Sequence, residues 1–217
     1  LSMIVVMRVL LREYRLESLV VSSYQAASGA GQAGIDTLRV QTAAVAGTGV
    51  GTRPGDLREA IDDLGPFPAP LALNVVPWAG SLKTAGDSSE ELKVRNESRK
   101  ILGLPDLPVF ATCVRVPVST THWLAVHARF RSEVDADRAR TILTVAPGVV
   151  VVDDPTVGEF PTPADAVGTD PTHVGRIRKS LDDPFALDMF MCGHNLRKGA
   201  ALNTAQIAEL LAAEFTD

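Results

Sequence analysis

Cysteine is scarce in this chain: Cys113 and Cys192 are the only two in 217 residues. A secreted scaffold held by disulfides would carry more, so the chain reads as cytoplasmic. Both cysteines sit in apolar, β-like surroundings ("FATCVRV", "DMFMCG"). Thiols buried in such places are usually inert rather than nucleophilic. Long basic clusters are also missing. Lys and Arg number 21 against 26 Asp and Glu, a net charge of −5. That leaves no electrostatic footprint for nucleic acid. No apolar run approaches the roughly 18 to 20 residues that a membrane span requires. The opening "LSMIVVMRVLL" is too short for a span, and it lacks the basic region and small-residue cleavage site of a signal peptide. Because the chain opens on Leu1 rather than Met, it is expected to begin inside a longer gene product. No internal repeat and no low-complexity segment is present.

What remains is a composition suited to a packed core: 46% hydrophobic and 22% charged residues. The length fits one large domain or two small ones. Residues 2–14 read as a helix, with Ile4, Met7, Leu10 and Leu11 at spacings of three and four and Ser2 as its cap. "LESLVVSSYQ" reads as a buried strand, "AASGAG" as a loop, and a helix runs from near Gln32 to about Ala46. A short strand is expected over Leu73 to Val76. "DSSEELKVRNESRKILG" carries helix signals at both ends: Ser88 or Ser89 as cap, acids in the first turn, and Gly103 after the last. "VFATCVRVPV" and "THWLAVHARFR" read as strands, "ADRARTILTVA" as a helix and "GVVVVDDP" as a strand. A strand pair follows around "LDDP". The chain ends on an amphipathic helix with Ala201, Ala205, Ala208, Leu211 and Ala212 near one face. Helices are interspersed with strands, yet the later strands are joined by short connections. The expected fold is therefore α+β, a mixed and largely antiparallel sheet with helices packed mainly on one face.

Three features carry chemistry. "GAGQAG", residues 29–34, matches G-x-G-x-x-G between a strand and a helix, a pattern that can cradle a phosphate. A structural turn explains it equally well. Four residues separate Tyr24 from Gly29, and no acid stands at the end of a following strand to hold a ribose. Gln25, a polar amide ending a buried strand, is well placed to orient a ligand. Glu90, Lys93, Glu97 and Lys100 line one helical face, either as a solvated ion-pair stripe or as the border of a charged-substrate site. Arg115 lies in the apolar "TCVRVPV", where its fork must find water, a partner or a ligand carboxylate or phosphate. Seven residues on, His122 has an ordinary pKa suited to proton transfer near neutrality. Spacing alone leaves this pair evenly balanced between a cleft and two unrelated surface positions. His127, His173 and His194 form no ligand spacing with either cysteine, so a zinc site is set aside.

Taken together and in order, "VVSSYQAASGAGQAG", "NVVPWAG", "EELKVRNESRKILG", "TCVRVPVSTTH", "PTPADAVGTDPTHVGRIR" and "NLRKGAALNTAQIAELL" resemble aspartate-β-semialdehyde dehydrogenase of the actinobacterial type. The resemblance covers nearly the whole chain and implies the carboxy-terminal catalytic and dimerisation domain over 1–217, with a fold like that of the glyceraldehyde-3-phosphate dehydrogenase carboxy-terminal domain. It implies the NADPH-dependent reductive dephosphorylation of L-aspartyl 4-phosphate to L-aspartate 4-semialdehyde, releasing phosphate, through a cysteine thioester. This step supplies lysine, diaminopimelate, methionine and threonine biosynthesis. By the same resemblance Gln25 orients the substrate at the thiol, and Ser28, Gly29 and Asn195 contact NADP. Glu90 and Lys93 bind substrate and phosphate, Arg115 grips the substrate carboxylate, and His122 is the acid/base. A homodimer is implied, with the sheet's other face available to the two-fold partner.

Departures from the family pattern also matter. The amino-terminal Rossmann domain, which holds most of the NADP site, is absent from these residues, as is the Asn-Cys-Thr nucleophile motif expected just before the first helix. The chain alone is therefore expected to be inactive. Trp123 stands where a small residue is usual, and His194 where an acid is usual. Two rival readings stay open: a related acyl-phosphate reductase such as N-acetyl-glutamyl-phosphate reductase, and a non-catalytic dimerisation module.

Overall fold

The structure, a computed structural model, describes residues 1–215. Its helices are α1 (Ser2–Tyr14), α2 (Gly31–Val45), α3 (Asp56–Ala60), α4 (Ser89–Leu102), α5 (Ala136–Thr144), α6 (Pro163–Ala166) and α7 (Leu202–Glu214). The strands are β1 (Leu16–Gln25), β2 (Val109–Arg115), β3 (His122–Phe130), β4 (Val149–Val151), β5 (Thr172–Lys179) and β6 (Ala186–Gly193). They form one sheet in the order β2-β1-β3-β6-β5-β4. The outer pairs β1/β2 and β4/β5 are parallel, and the three inner pairings are antiparallel. This is the expected mixed, mainly antiparallel α+β architecture.

The periodicity of α1 explains how the main core forms. Met3, Ile4, Val6, Met7, Leu10 and Tyr14 are buried, a stripe at helical spacing. They pack on alternate residues of the strands, among them Leu19 and Val21 of β1, Val126, Ala128 and Phe130 of β3, and Leu187, Met189 and Met191 of β6. Leu102 of α4 and Ala139 and Leu143 of α5 complete the layer. Ser2 is the first helical residue rather than the cap; Leu1 takes that position with no side-chain bond. The helix start is pressed onto the end of β6, since a Cβ at Gly193 would collide with Ser2 Oγ.

A second, smaller cluster stands beyond the end of β1. There α2 buries Leu38 and Val45 against Ile61, Phe67, Ala69, Leu71 and Val76 of the following segment. Gln41, 2% exposed, ties the two together by donating to Asp63 O and accepting from the N–H groups of Leu71 and Ala72. The strand expected over Leu73 to Val76 does not form. Leu73 has φ 57, and only Val76 pairs, in an isolated antiparallel bridge with Arg115.

Helix α4 bears its signals out. Ser88 and Glu91 form a reciprocal capping box, and Gly103 ends the helix in the left-handed region at φ 70. Glu91 also accepts the N–H of Cys113, which fastens α4 to β2. The final helix differs from expectation: α7 buries none of its residues, and Ile207, Leu210 and Leu211 are exposed. The sheet's second face is only partly covered. In register across it run Phe110, Val20, His127 and Asp188, and beside them Tyr24 and Trp123. Phe110 is 63% exposed and Val20 47%.

Candidate functional site

Four strand ends meet at one edge of the sheet. Parallel pairing sets Gln25 opposite Arg115. Antiparallel pairing starts β3 at His122, directly opposite Gly193 at the end of β6, and Asn195 follows two residues later. The 3₁₀ turn Ala27–Ala30 wraps across this edge. The N–H groups of Ala27 and Ser28 donate to Val118 O and Ser119 O at 2.8 and 3.0 Å. The site therefore lies in the seam between the two clusters.

Ala26 is the hub. Its carbonyl accepts from Arg115 Nη1 at 2.7 Å, and its N–H donates to His122 Nδ1 at 3.1 Å. One peptide segment thus holds both side chains through main-chain groups. With Nδ1 accepting, the neutral imidazole carries its proton on Nε2. Burial first, then the neighbouring Arg115 cation, push the His122 pKa down to about 4. At neutral pH the ring is therefore neutral and presents Nε2–H. Burial also draws the Arg115 pKa down, while Glu90 opposes it; a guanidinium remains charged regardless.

Gly29 explains how closely these parts meet. A Cβ there would lie 2.3 Å from Arg115 Nη1 and 3.2 Å from His122 Nε2. Gly34 is needed for a different reason: its Cβ would lie 2.4 Å from Ala27 O. Two of the three glycines of "GAGQAG" are accordingly taken up by the chain's own atoms. The turn reading accounts for the motif without a phosphate cradle.

Glu90 and Lys93 pair at 3.7 Å on α4. They belong to the surroundings of the site as well as to a surface stripe, because Glu90 acts electrostatically on Arg115, and Lys93 on His122. The start of α1 borders the same place, for Ser2 Oγ packs against Gly193, the residue directly opposite His122. Ser28 and Asn195 form a polar pair, Asn195 Nδ2 donating to Ser28 Oγ at 2.9 Å. Asn195 Oδ1 accepts the N–H of Thr121 at 2.9 Å. Such a pair suits the carboxamide of a nicotinamide. With Gly29 and Gly34 filled, the adjoining loop is not shaped to cradle a dinucleotide's phosphates.

Neither cysteine is poised for attack. Burial raises the Cys113 thiol to about 12, helped by Glu91 and Glu90, and burial with Asp165 raises Cys192 to about 12. Trp123 stacks on Tyr24 at 5.8 Å and 11°. Neighbouring strand residues point to opposite faces, so its bulk falls on the uncovered side, away from the His122 ring. His194 Nδ1 accepts the N–H of Gly168 at 2.9 Å and so ties the end of β6 to the connection after α6.

Two features escaped the sequence. Ala26 offers only main-chain groups, and nothing in its identity marks it. Thr121 is fully buried at φ 78, a conformation β-branched residues rarely adopt, so no local signal announces it.

Strand ends thus converge on an Arg115/His122 pair in a mixed α+β sheet whose second face is only partly covered. The family of the semialdehyde dehydrogenase dimerisation domain matches residues 8–198, and the chain belongs to it. The aspartate-semialdehyde dehydrogenase of Corynebacterium glutamicum is 52% identical over 201 residues, covering 90% of this chain and 56% of that protein. That of Streptomyces akiyoshiensis is 48% identical over 215 residues, covering 97% of this chain and 61% of that protein. The crystal structure of aspartate semialdehyde dehydrogenase II from Vibrio cholerae complexed with ASA superposes with a TM-score of 0.89 at 33% identity, over 99% of this chain and 60% of the other. The chain thus spans between one half and two thirds of the relatives it matches. Among the described residues no helix is long and apolar enough to cross a membrane.

Proposed function

We propose that the chain is the substrate-binding and dimerisation part of an aspartate-semialdehyde dehydrogenase, which interconverts L-aspartyl 4-phosphate and L-aspartate 4-semialdehyde with NADPH. One observation carries this reading: Arg115 and His122 are both anchored on Ala26 and both lie against Gly29. A cationic fork and a neutral ring holding its proton on Nε2 then face one small space.

In this reading Arg115 pairs with the substrate carboxylate, since its fork matches two oxygens at once. Lys93, flanking the site, attracts the phosphoryl group, while Glu90 balances the cations. Gln25, buried at the end of β1 opposite Arg115, orients the reacting carbonyl. His122 gives the proton from Nε2 to the oxygen that develops charge and takes it back in the reverse direction. Ser28, Gly29 and Asn195 would hold the nicotinamide end of NADP, whose reduced form would supply the hydride when bound. Most of the NADP site is assigned to the part of the relatives' length that this chain does not span. The thiol belongs immediately ahead of α1, whose start borders His122; a helix N-terminus lowers a thiol's pKa there. Two copies pair through the open sheet face that carries Phe110 and Val20.

The test joins the amino-terminal portion of the Corynebacterium glutamicum relative to this chain and follows oxidation of aspartate semialdehyde with NADP and phosphate. The fusion turns over, and the 217-residue chain alone does not. In the fusion His122→Ala lowers kcat by roughly 10²- to 10⁴-fold, and Arg115→Leu acts mainly on KM. A folded, dimeric fusion whose rate ignores both substitutions would refute the assignment.

A further inference from the structure

We propose that Asn195 is a positioning residue for His122, acting through the backbone of Thr121. The inference rests on reading His122 as the acid/base and adds a second role to a side chain assigned above only to the cofactor.

Thr121 immediately precedes His122, and its φ sets the direction in which β3 leaves the turn. At φ 78 a β-branched residue is strained, and it keeps that conformation only where its surroundings over-determine it. Its side chain gives no polar help, because the buried Thr121 Oγ1 has no hydrogen-bond partner. The hold comes from the main chain: the Thr121 N–H donates to Asn195 Oδ1 at 2.9 Å. That acceptor stands 74 residues away in sequence, just past the end of β6.

Asn195 is itself held from the other side. Its Nδ2 donates to Ser28 Oγ, and the Ser28 N–H donates to Ser119 O, in the turn that ends at Thr121. A closed ring results, running from Asn195 to Thr121, back along the turn to Ser119, across to Ser28 and back to Asn195. His122 hangs from this ring at one point and is pinned at another, where the Ala26 N–H donates to Nδ1. Ala26 lies two residues before Ser28, so Asn195 sets both ends of the distance that this bond must span.

Without Asn195 the Thr121 N–H is buried and unpaired. The cheapest remedy is for Thr121 to relax to negative φ and turn its N–H toward another acceptor. His122 then swings away from Ala26, and the ring loses the bond that fixes its tautomer. An acceptor oxygen alone suffices to prevent this, so aspartate at 195 still serves.

The test uses long-range ¹H–¹⁵N spectra of the 217-residue chain with labelled histidine near neutral pH. In the parent, His122 shows a single tautomer, protonated at Nε2. In Asn195→Ala its two nitrogen shifts collapse toward a common averaged value, while His127 and His173 keep theirs. Asn195→Asp restores the single-tautomer pattern. The proposal is overturned if Asn195→Ala leaves the His122 tautomer intact. It is equally overturned if all the histidines shift together, since the residue would then serve the fold at large. The spectra read ring geometry and not turnover. A His122 with no catalytic role would fail the fusion assay and leave this result standing.

Discussion

The substitution Gly29→Ala separates the site from the fold. Gly29 does not sit at positive φ, so alanine suits its backbone, and the whole effect comes from one methyl group. That methyl would lie 2.3 Å from Arg115 Nη1, over 1 Å inside ordinary contact. The guanidinium is the flexible end of a side chain and can retreat, but only by leaving Ala26 O, which it holds at 2.7 Å. Overpacking of this kind costs about 1–3 kcal/mol. Alanine returns about 0.4–1 kcal/mol by stiffening the unfolded chain. The net loss of stability is therefore small, on the order of 1 kcal/mol. Binding loses more, because a bidentate grip on a carboxylate depends on where the fork stands. Losing one charged hydrogen bond of about 1.5–3 kcal/mol weakens affinity roughly tenfold to a hundredfold. Isothermal titration with aspartate semialdehyde, alongside urea unfolding, measures both quantities. A variant that binds as the parent does would refute the claim that Gly29 exists to seat Arg115. A variant that unfolds outright would refute the claim that the cost is local.

Three further outcomes follow from the same geometry. Asp153, whose side chain is 2% exposed, pairs with Arg140 at 2.7 Å and accepts the N–H groups of Arg176 and Ile177 at the bulge in β5. Asp153→Ala strands Arg140 and those donors, and urea unfolding should show a loss of about 3–5 kcal/mol; under 1 kcal/mol would refute the clamp. His122 has a folded pKa of about 4 against an ordinary 6.5, so the unfolded chain binds more protons between those values. Stability is then full above about pH 6.5 and falls as pH drops toward 4, by about 3 kcal/mol at most from this residue. His122→Asn flattens that slope in unfolding measured from pH 7 to 4.5, and an unchanged slope counts against a buried neutral ring. Phe110→Glu places a charge on the open sheet face, so light scattering after gel filtration should show a monomer where the parent is expected to run as a dimer; a dimer that persists moves the interface elsewhere.

How much of this was legible depends on whether the cause was local. Helix α1 could be read because its apolar residues follow a period that only one face can bury, and α4 because Ser88, Glu91 and Gly103 carry their own capping chemistry. Arg115 could be suspected because a cation in an apolar strand has to find a partner. The strand expected over Leu73 to Val76 failed because only Val76 of the four joins the second cluster, while Leu73, at φ 57, leaves the extended conformation and is exposed together with Val75. The apolar residues of α7 predicted a buried face, yet periodicity states which face could be buried and not what lies against it. Thr121 and Asn195 were illegible as a pair: their link spans 74 positions and runs through a main-chain N–H that every non-proline residue carries.

The same distinction explains why the site sits where it does. Parallel β1 and β2 end together, and antiparallel β3 and β6 begin and end at that level, so sheet register alone delivers Gln25, Arg115, His122 and Gly193 to one edge. Register brings main chains together and leaves side-chain aim to local geometry. Here the aim comes from atoms that no substitution at their own position, proline apart, would remove: the Ala26 N–H and carbonyl, and the N–H of Thr121. A site held this way tolerates change in the residues that do the holding, provided their backbone can still adopt the required shape. It is intolerant at Gly29, where an added atom displaces Arg115, and at Asn195, where a lost oxygen releases Thr121. Those two positions, rather than the charged stripe on α4, are where single changes should uncouple Arg115 and His122 while leaving the sheet intact.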